Sequence, residues 1–125
     1  MPTPLLHLEN ISKNFGSLKV TQNINLSLNK GEALGVLGPN GAGKTTLFNL
    51  ISGDVLPDSG QVHFKGKNIT HALPHIRCRS GIGRSYQIAL PFEGMTVFEN
   101  LMVGAMFGGN RTNTSEANDR CAAIL

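Results

Sequence analysis

The spacing of apolar residues predicts short strands in the first half of the chain. Apolar and polar side chains alternate most clearly from Val20 to Leu28, which is typical of a strand with one buried face. The run Glu32–Leu37 is apolar at nearly every position, which favours a strand buried on both faces, as in a parallel sheet. Further strands are predicted at Leu5–Ile11, Gln61–Lys65 and Ile82–Tyr86.

Helical spacing and end signals predict four helices. In the segment Lys44–Ser52 the apolar residues fall on one face, and Gly53 is expected to cap its C-terminus. Thr96 and Glu99 have the T-x-x-E form of a capping box, which should open a helix that runs to about Phe107. The other two helices are predicted near Leu73–Arg79 and from about Ser115 onward.

The composition is that of a globular chain with the size of one domain. Of its 125 residues, 40% are hydrophobic and 15% are charged, and no apolar run approaches the ~20 residues that span a bilayer. The N-terminal sequence MPTPLLHLEN has neither the basic nor the apolar region of a secretory signal. Two cysteines do not make a disulfide framework. We therefore expect a cytosolic location.

The charge of the chain is mildly basic, at +3 with 11 Lys and Arg residues. These residues are scattered along the sequence. Arg77, Arg79 and Arg84 come close together, and we interpret them as a solvated face. A nucleic-acid-binding surface usually has a denser basic stripe, so we expect no nucleic-acid partner.

Residues 38–45, Gly-Pro-Asn-Gly-Ala-Gly-Lys-Thr, match the pattern G-x-x-x-x-G-K-[ST]. Glycines let the backbone curve closely around phosphate oxygens and direct several N–H groups at them. The following helix adds its free amides and the positive end of its dipole. Lys44 supplies a charge for the β- and γ-phosphates, and the hydroxyl of Thr45 can ligate Mg²⁺. Because the motif lies between a predicted buried strand and an amphipathic helix, it predicts a nucleotide-phosphate site.

The sequence contains the phosphate-binding motif but only part of the set of residues that hydrolysis requires. Phosphoryl transfer needs an acid that anchors Mg²⁺ at the end of a strand, and a group that orients the attacking water. No apolar run of four residues ends in Asp or Glu, since Asp54 follows a helix and Glu93 and Glu99 follow loop residues. We therefore expect these 125 residues to lack the catalytic carboxylate.

Several stretches resemble the nucleotide-binding subunit of an ABC transporter. They are GPNGAGKTT, FNLISGDVLPDSGQVHFKGKNIT, GIGRSYQ and PFEGMTVFENLMVGA, and the last is most similar to importers of branched-chain amino acids. The resemblance implies an α/β fold of the P-loop NTPase class, a RecA-like ABC nucleotide-binding domain. This chain would be its N-terminal part, with an antiparallel β subdomain and P-loop core in residues 1–90. Residues 91–125 would hold the Q-loop segment and the start of a helical subdomain.

The resemblance also assigns roles to individual residues. Phe15, in Lys13-Asn14-Phe15-Gly16, matches the A-loop aromatic residue that stacks on adenine. Gln87 matches the Q-loop glutamine that contacts Mg²⁺ or the attacking water, which implies a catalytic and metal-binding role beside the metal ligand Thr45. The loop implied to bind ATP comprises Gly38, Pro39, Asn40, Gly41, Ala42, Gly43, Lys44, Thr45 and Thr46.

In this family two nucleotide-binding subunits close head to tail on ATP and energise a membrane permease. The resemblance therefore implies ATP and Mg²⁺ as ligands, and a second nucleotide-binding subunit and membrane permease subunits as partners. It places the protein peripherally at the cytoplasmic face of the inner (plasma) membrane, with Ile88–Glu99 facing the permease. The implied activity of the full-length protein is ATP hydrolysis coupled to import of a small solute, with branched-chain amino acids as the implied solute.

Other functions stay open at this point. The signature loop, the Walker B strand and the switch histidine of the family are not found in the sequence, and we expect the chain to be a fragment. One alternative is a nucleotide-binding module without catalysis. Another is a soluble ABC-type ATPase that acts on ribosomes or in DNA repair, although the stretch PFEGMTVFEN argues against it. Small-molecule kinases share the phosphate loop, but the hairpin at Gln61–Ile69 fits their lid poorly.

Overall fold

A computed structural model describes residues 3–38, 43–85, 91–107 and 114–124. The chain divides into two compact units, residues 1–74 and 75–125. The family resemblance implies a different boundary, at residue 90, between the β subdomain with its P-loop core and the helical subdomain. That boundary stays a prediction. In chain order the elements are β1 (Leu6–Phe15), β2 (Leu18–Leu28), α1 (Lys44–Ser52), β3 (Ser59–Phe64), β4 (Lys67–Asn68), α2 (Pro74–Ser80), α3 (Val97–Phe107) and α4 (Thr114–Ile124).

The four strands form one antiparallel sheet in the order β2-β1-β3-β4. The central strand β1 pairs with β2 on one side and with β3 on the other. One face of the sheet is apolar and buried, as the alternation in the sequence predicts. Its buried side chains, together with those of α1 and the segment after β4, are Leu6, Leu8, Ile11, Leu47, Leu50, Val62, Phe64 and Ile69. The predicted antiparallel β subdomain is confirmed.

The strands β1 and β3 approach each other unusually closely at Gly60. The pairing of the two strands shifts register between Glu9 and Ser12, and Asn10 adopts a left-handed φ of 50°. Gly60 has a φ of +90°, and a Cβ on it would lie 2.3 Å from the carbonyl oxygen of Asn10. Glycine is therefore required at position 60 by both its backbone angle and the neighbouring strand.

A two-residue turn, Lys65-Gly66, connects β3 to β4. Both residues have positive φ, at 51° and 80°, and Phe64 pairs with Lys67 across the turn. This geometry is that of a type I′ hairpin, whose twist matches the twist of the strands. The strand predicted to end at Lys65 therefore ends one residue earlier.

The segment Glu32–Leu37 is the main departure from the predicted elements. It forms no strand in the structure, and Leu34 and Leu37 are 52% and 96% exposed. A strand needs a hydrogen-bonded neighbour, and the described part of the chain forms one sheet that does not include this segment. Residues 82–85 of the predicted strand Ile82–Tyr86 are also not a strand, and Tyr86 lies outside the described residues.

The helices of the second unit begin and end close to their predicted positions. The Thr96–Glu99 capping box is present, since the Glu99 carboxylate accepts from the Thr96 N–H and the Thr96 hydroxyl accepts from the Glu99 N–H, both at 3.1 Å. Helix α3 packs on α4, where Ala117 and Cys121 are buried. Among the described residues, no helix has the length and apolar character needed to cross a membrane.

Arg77 of α2 corrects the prediction of a solvated arginine face. Its side chain is fully buried, and this burial lowers the pKa of the guanidinium. The charged end of the side chain is buried together with its aliphatic stem, and the spacing of charges along the sequence does not reveal this.

We predict that Gly60→Ala destabilises the fold by about 3–5 kcal/mol, because the new Cβ meets the Asn10 carbonyl in addition to straining the backbone. Gly31→Ala is the matched control. Gly31 has a φ of +86°, and a Cβ on it would meet nothing within 4 Å. Gly31→Ala should therefore lower the free energy of unfolding by only the cost of backbone strain, about 1–2 kcal/mol. Urea unfolding of the two variants measures the difference, and equal losses would contradict the close-contact explanation.

Candidate functional site

The N-terminus of α1 is positioned by a glycine. Gly43 precedes the helix in a left-handed conformation with a φ of 88°, and a Cβ on it would lie 3.0 Å from the carbonyl oxygen of Val20 in β2. This glycine lets the chain turn into the helix directly against the sheet. The first turn of α1 has no acidic side chain, and Gly43 provides no side-chain cap. The helix end therefore keeps the amides and the positive dipole end that favour an anion.

The side chain of Lys44 reaches back to the first residue of the predicted phosphate loop. Its ammonium donates to the carbonyl oxygen of Gly38, so the structure brings the first residue of the motif and its lysine together. Thr45 is exposed in the first helical turn, and Thr46 is half-buried beside it. The predicted loop residues Pro39, Asn40, Gly41 and Ala42 lie outside the described residues.

The donors at this end of α1 fit a magnesium-bound phosphate chemically. Backbone amides and a lysine ammonium bind phosphate oxygens, and a threonine hydroxyl is a ligand that Mg²⁺ accepts. Gln87, the other predicted magnesium and catalytic residue, lies outside the described residues. Among those residues, no group of three or more His, Cys, Asp or Glu side chains could hold a metal ion.

Phe15, the predicted adenine-stacking residue, is the last residue of β1. The chain then turns through Gly16, whose φ is +62°, into Leu18 of β2. The Phe15 side chain remains 47% exposed. The ammonium of Lys13 lies over the ring, 5.4 Å from its centroid, within the range of a cation–π interaction.

Asp58 connects the turn before β3 to this end of β1, a role that the sequence did not reveal. Its Oδ2 accepts the backbone N–H of Asn14 at 2.7 Å, and its Oδ1 accepts from Lys13 Nζ at 3.2 Å. The Asp58 N–H donates to the carbonyl oxygen of Ser12 at 2.9 Å. An acidic residue in a Pro-Asp-Ser-Gly turn indicates the turn itself, but the partner 44 residues away appears only in the folded chain.

These contacts act on the ionisation of Asp58. The hydrogen bond from the Asn14 N–H, followed by that from the Lys13 side chain, holds the pKa of the Asp58 carboxyl below its ordinary value. Asp58 is therefore a carboxylate at neutral pH and supplies the negative charge that the Lys13 ammonium faces.

Comparison with known proteins decides the family. The model of the family described as ABC transporter matches residues 21–125. The chain belongs to the ABC transporter family. The resemblance that the phosphate loop and the following motifs indicated is thus confirmed, as is the fold class.

Among curated ABC proteins, a probable branched-chain amino acid transport ATP-binding protein, LivG, from Archaeoglobus fulgidus is 44% identical over 107 residues. The match covers 86% of this chain and 42% of that protein. The lipopolysaccharide export system ATP-binding protein LptB from Haemophilus influenzae is 43% identical over 98 residues, which cover 78% of this chain and 41% of LptB. The chain thus spans less than half the length of these relatives.

A solved structure of the same family also superposes on the chain. The ADP conformation of MJ1267, an ATP-binding cassette of an ABC transporter, has a TM-score of 0.76 and 36% sequence identity. The superposition covers 98% of this chain and 46% of the cassette. The described elements are therefore those of one part of an ATP-binding cassette.

The lowered pKa of Asp58 predicts that its ionised carboxylate stabilises the fold and that acid removes this stabilisation. Because the folded-state pKa lies below the unfolded value, the contribution is fully present above the unfolded pKa and is lost as the pH falls below about 4. Asn at position 58 cannot ionise, so the stability difference between the wild type and Asp58→Asn should shrink on acidification from about pH 7 to about pH 3. Urea unfolding at a series of pH values measures this difference, and a constant value across the series would refute the assignment.

Proposed function

We propose that the protein is the ATP-binding subunit of an ABC transporter that imports a small solute, with branched-chain amino acids as the solute. The observation that carries the proposal is the phosphate motif at the start of α1, where Lys44 meets Gly38 beside uncapped helix amides. Membership of the ABC transporter family supports it.

In this proposal each part of ATP has its own partners. The amides of the loop and of α1, together with Lys44, bind the phosphates. Thr45 and Gln87 hold Mg²⁺, which neutralises charge on the phosphate oxygens when bound. The Phe15 ring stacks on adenine, a contact worth about 1–3 kcal/mol by analogy with base stacking in nucleic-acid complexes. Its 47% exposure supports this role over that of a buried hydrophobic plug.

The proposed solute depends on the sequence around residues 81–105 and on the similarity to LivG. LptB, an export protein, is nearly as similar, so identity alone does not separate the two kinds of transport. Uptake of radiolabelled leucine by cells that express the full-length protein with its permease would test the solute. Accumulation of leucine that depends on Lys44 would support the proposal, and unchanged uptake in Lys44→Ala cells would refute it.

We further propose the assembly that such transport requires. Two copies close head to tail on ATP, and the segment Ile88–Glu99 contacts the permease at the cytoplasmic face of the membrane. Hydrolysis requires a carboxylate that no strand-end pattern in these 125 residues supplies. ATP binding and hydrolysis are therefore separate measurements, and a protein that binds ATP without hydrolysing it would be a nucleotide-binding module.

We predict that Lys44→Ala weakens ATP binding about tenfold to a hundredfold, because it removes a charge-assisted contact to phosphate. Lys30→Ala is the control, since Lys30 is exposed in the turn after β2. It should bind ATP like the wild type. Isothermal titration of the full-length protein with Mg·ATP measures both variants, and equal affinities would remove Lys44 from the site.

A further inference from the structure

We infer that Lys13 and Asp58 are positioning residues for the Phe15 ring and thereby set the affinity of the site for the adenine base. The inference rests on the proposed function, in which Phe15 stacks on adenine. Lys13 and Asp58 act through Phe15 and have no role toward the phosphates.

The geometry places two restraints on Phe15. The first acts on the backbone, because Asp58 accepts the Asn14 N–H at 2.7 Å and donates its own N–H to the Ser12 carbonyl at 2.9 Å. These bonds hold the backbone on either side of Lys13, immediately before Phe15, against the turn before β3. The left-handed Gly16 follows Phe15 directly, so Phe15 lies at a strand end beside a turn, where these bonds restrain the backbone that leads to it.

The second restraint acts on the ring. Asp58 Oδ1 accepts from Lys13 Nζ at 3.2 Å, and the same ammonium lies 5.4 Å from the centroid of the Phe15 ring. The Lys13 side chain is 19% exposed, so it is largely covered for a lysine at a surface ion pair. The carboxylate thus fixes the cation, and the cation occupies one face of the ring. The opposite face is then the one that a base can stack on.

This restraint matters because ordering a side chain on binding costs free energy. A ring that is already held in its stacking orientation loses less conformational entropy when the base arrives. Loss of either charged partner should therefore weaken binding of a ligand that contains the base. It should not affect a ligand that consists of phosphates alone.

The test compares Mg·ATP with inorganic tripolyphosphate, which has three phosphates and no base, by titration of the full-length protein. Lys13→Met and Asp58→Asn should each weaken ATP binding about threefold to tenfold, the range for loss of one hydrogen-bonded partner. Both should bind tripolyphosphate like the wild type. Lys13→Arg keeps the cation over the ring and should restore ATP binding.

The two substitutions also separate positioning from the general electrostatic field. Lys13→Met removes a positive charge and Asp58→Asn removes a negative one. A field effect would therefore shift anion affinity in opposite directions and would act on both ligands. Weakening of ATP alone by both variants supports positioning, whereas opposite shifts, or equal losses for both ligands, would overturn it.

A double-mutant cycle with Phe15→Ala completes the test. If Lys13 and Asp58 act through the ring, then Lys13→Met should have no further effect on ATP affinity once the ring is absent. An equal effect in both backgrounds would overturn the inference. Failure of the proposed function would look different, because the wild type would then bind neither ATP nor tripolyphosphate in a manner that depends on Lys44.

Discussion

The close approach of β3 to β1 at Gly60 is the contact on which the first unit depends. The strand β1 is central in the sheet, and its apolar side chains Leu8 and Ile11 are fully buried. It can pair with β3 across its register shift because Gly60 has no side chain to meet the Asn10 carbonyl. The turn before β3 is thereby placed where Asp58 reaches the end of β1.

The same sheet positions two parts of the candidate site, the Phe15 ring and the N-terminus of α1. At one end of β1, Asp58 is hydrogen-bonded to the backbone just before Phe15, and Lys13 lies over one face of the Phe15 ring. At Val20 in β2, the sheet supports Gly43 and so directs the N-terminus of α1. Gly43, like Gly60, combines a positive φ with a close backbone neighbour, and it lets α1 begin directly against the sheet.

The segment Glu32–Leu37 is exposed although its sequence is apolar, because no described strand pairs with it. Its composition is that of a strand buried on both faces, yet the described sheet does not pair with it. Burial of such a segment requires neighbouring strands. An apolar run in the sequence indicates that burial is favourable, but it does not indicate which strand pairs with the run.

The sequence by itself determined the strands β1, β2 and β3, the helix after the phosphate motif and the capping box at Thr96. Each depends on residues close together in the chain, since side-chain alternation, a glycine-rich loop and a helix cap are local patterns. Tertiary structure decided that Glu32–Leu37 is exposed, that Arg77 is buried and that Asp58 contacts Asn14 and Lys13. These depend on which distant segments meet, because hydrogen bonds and burial between residues far apart in the chain leave no local pattern.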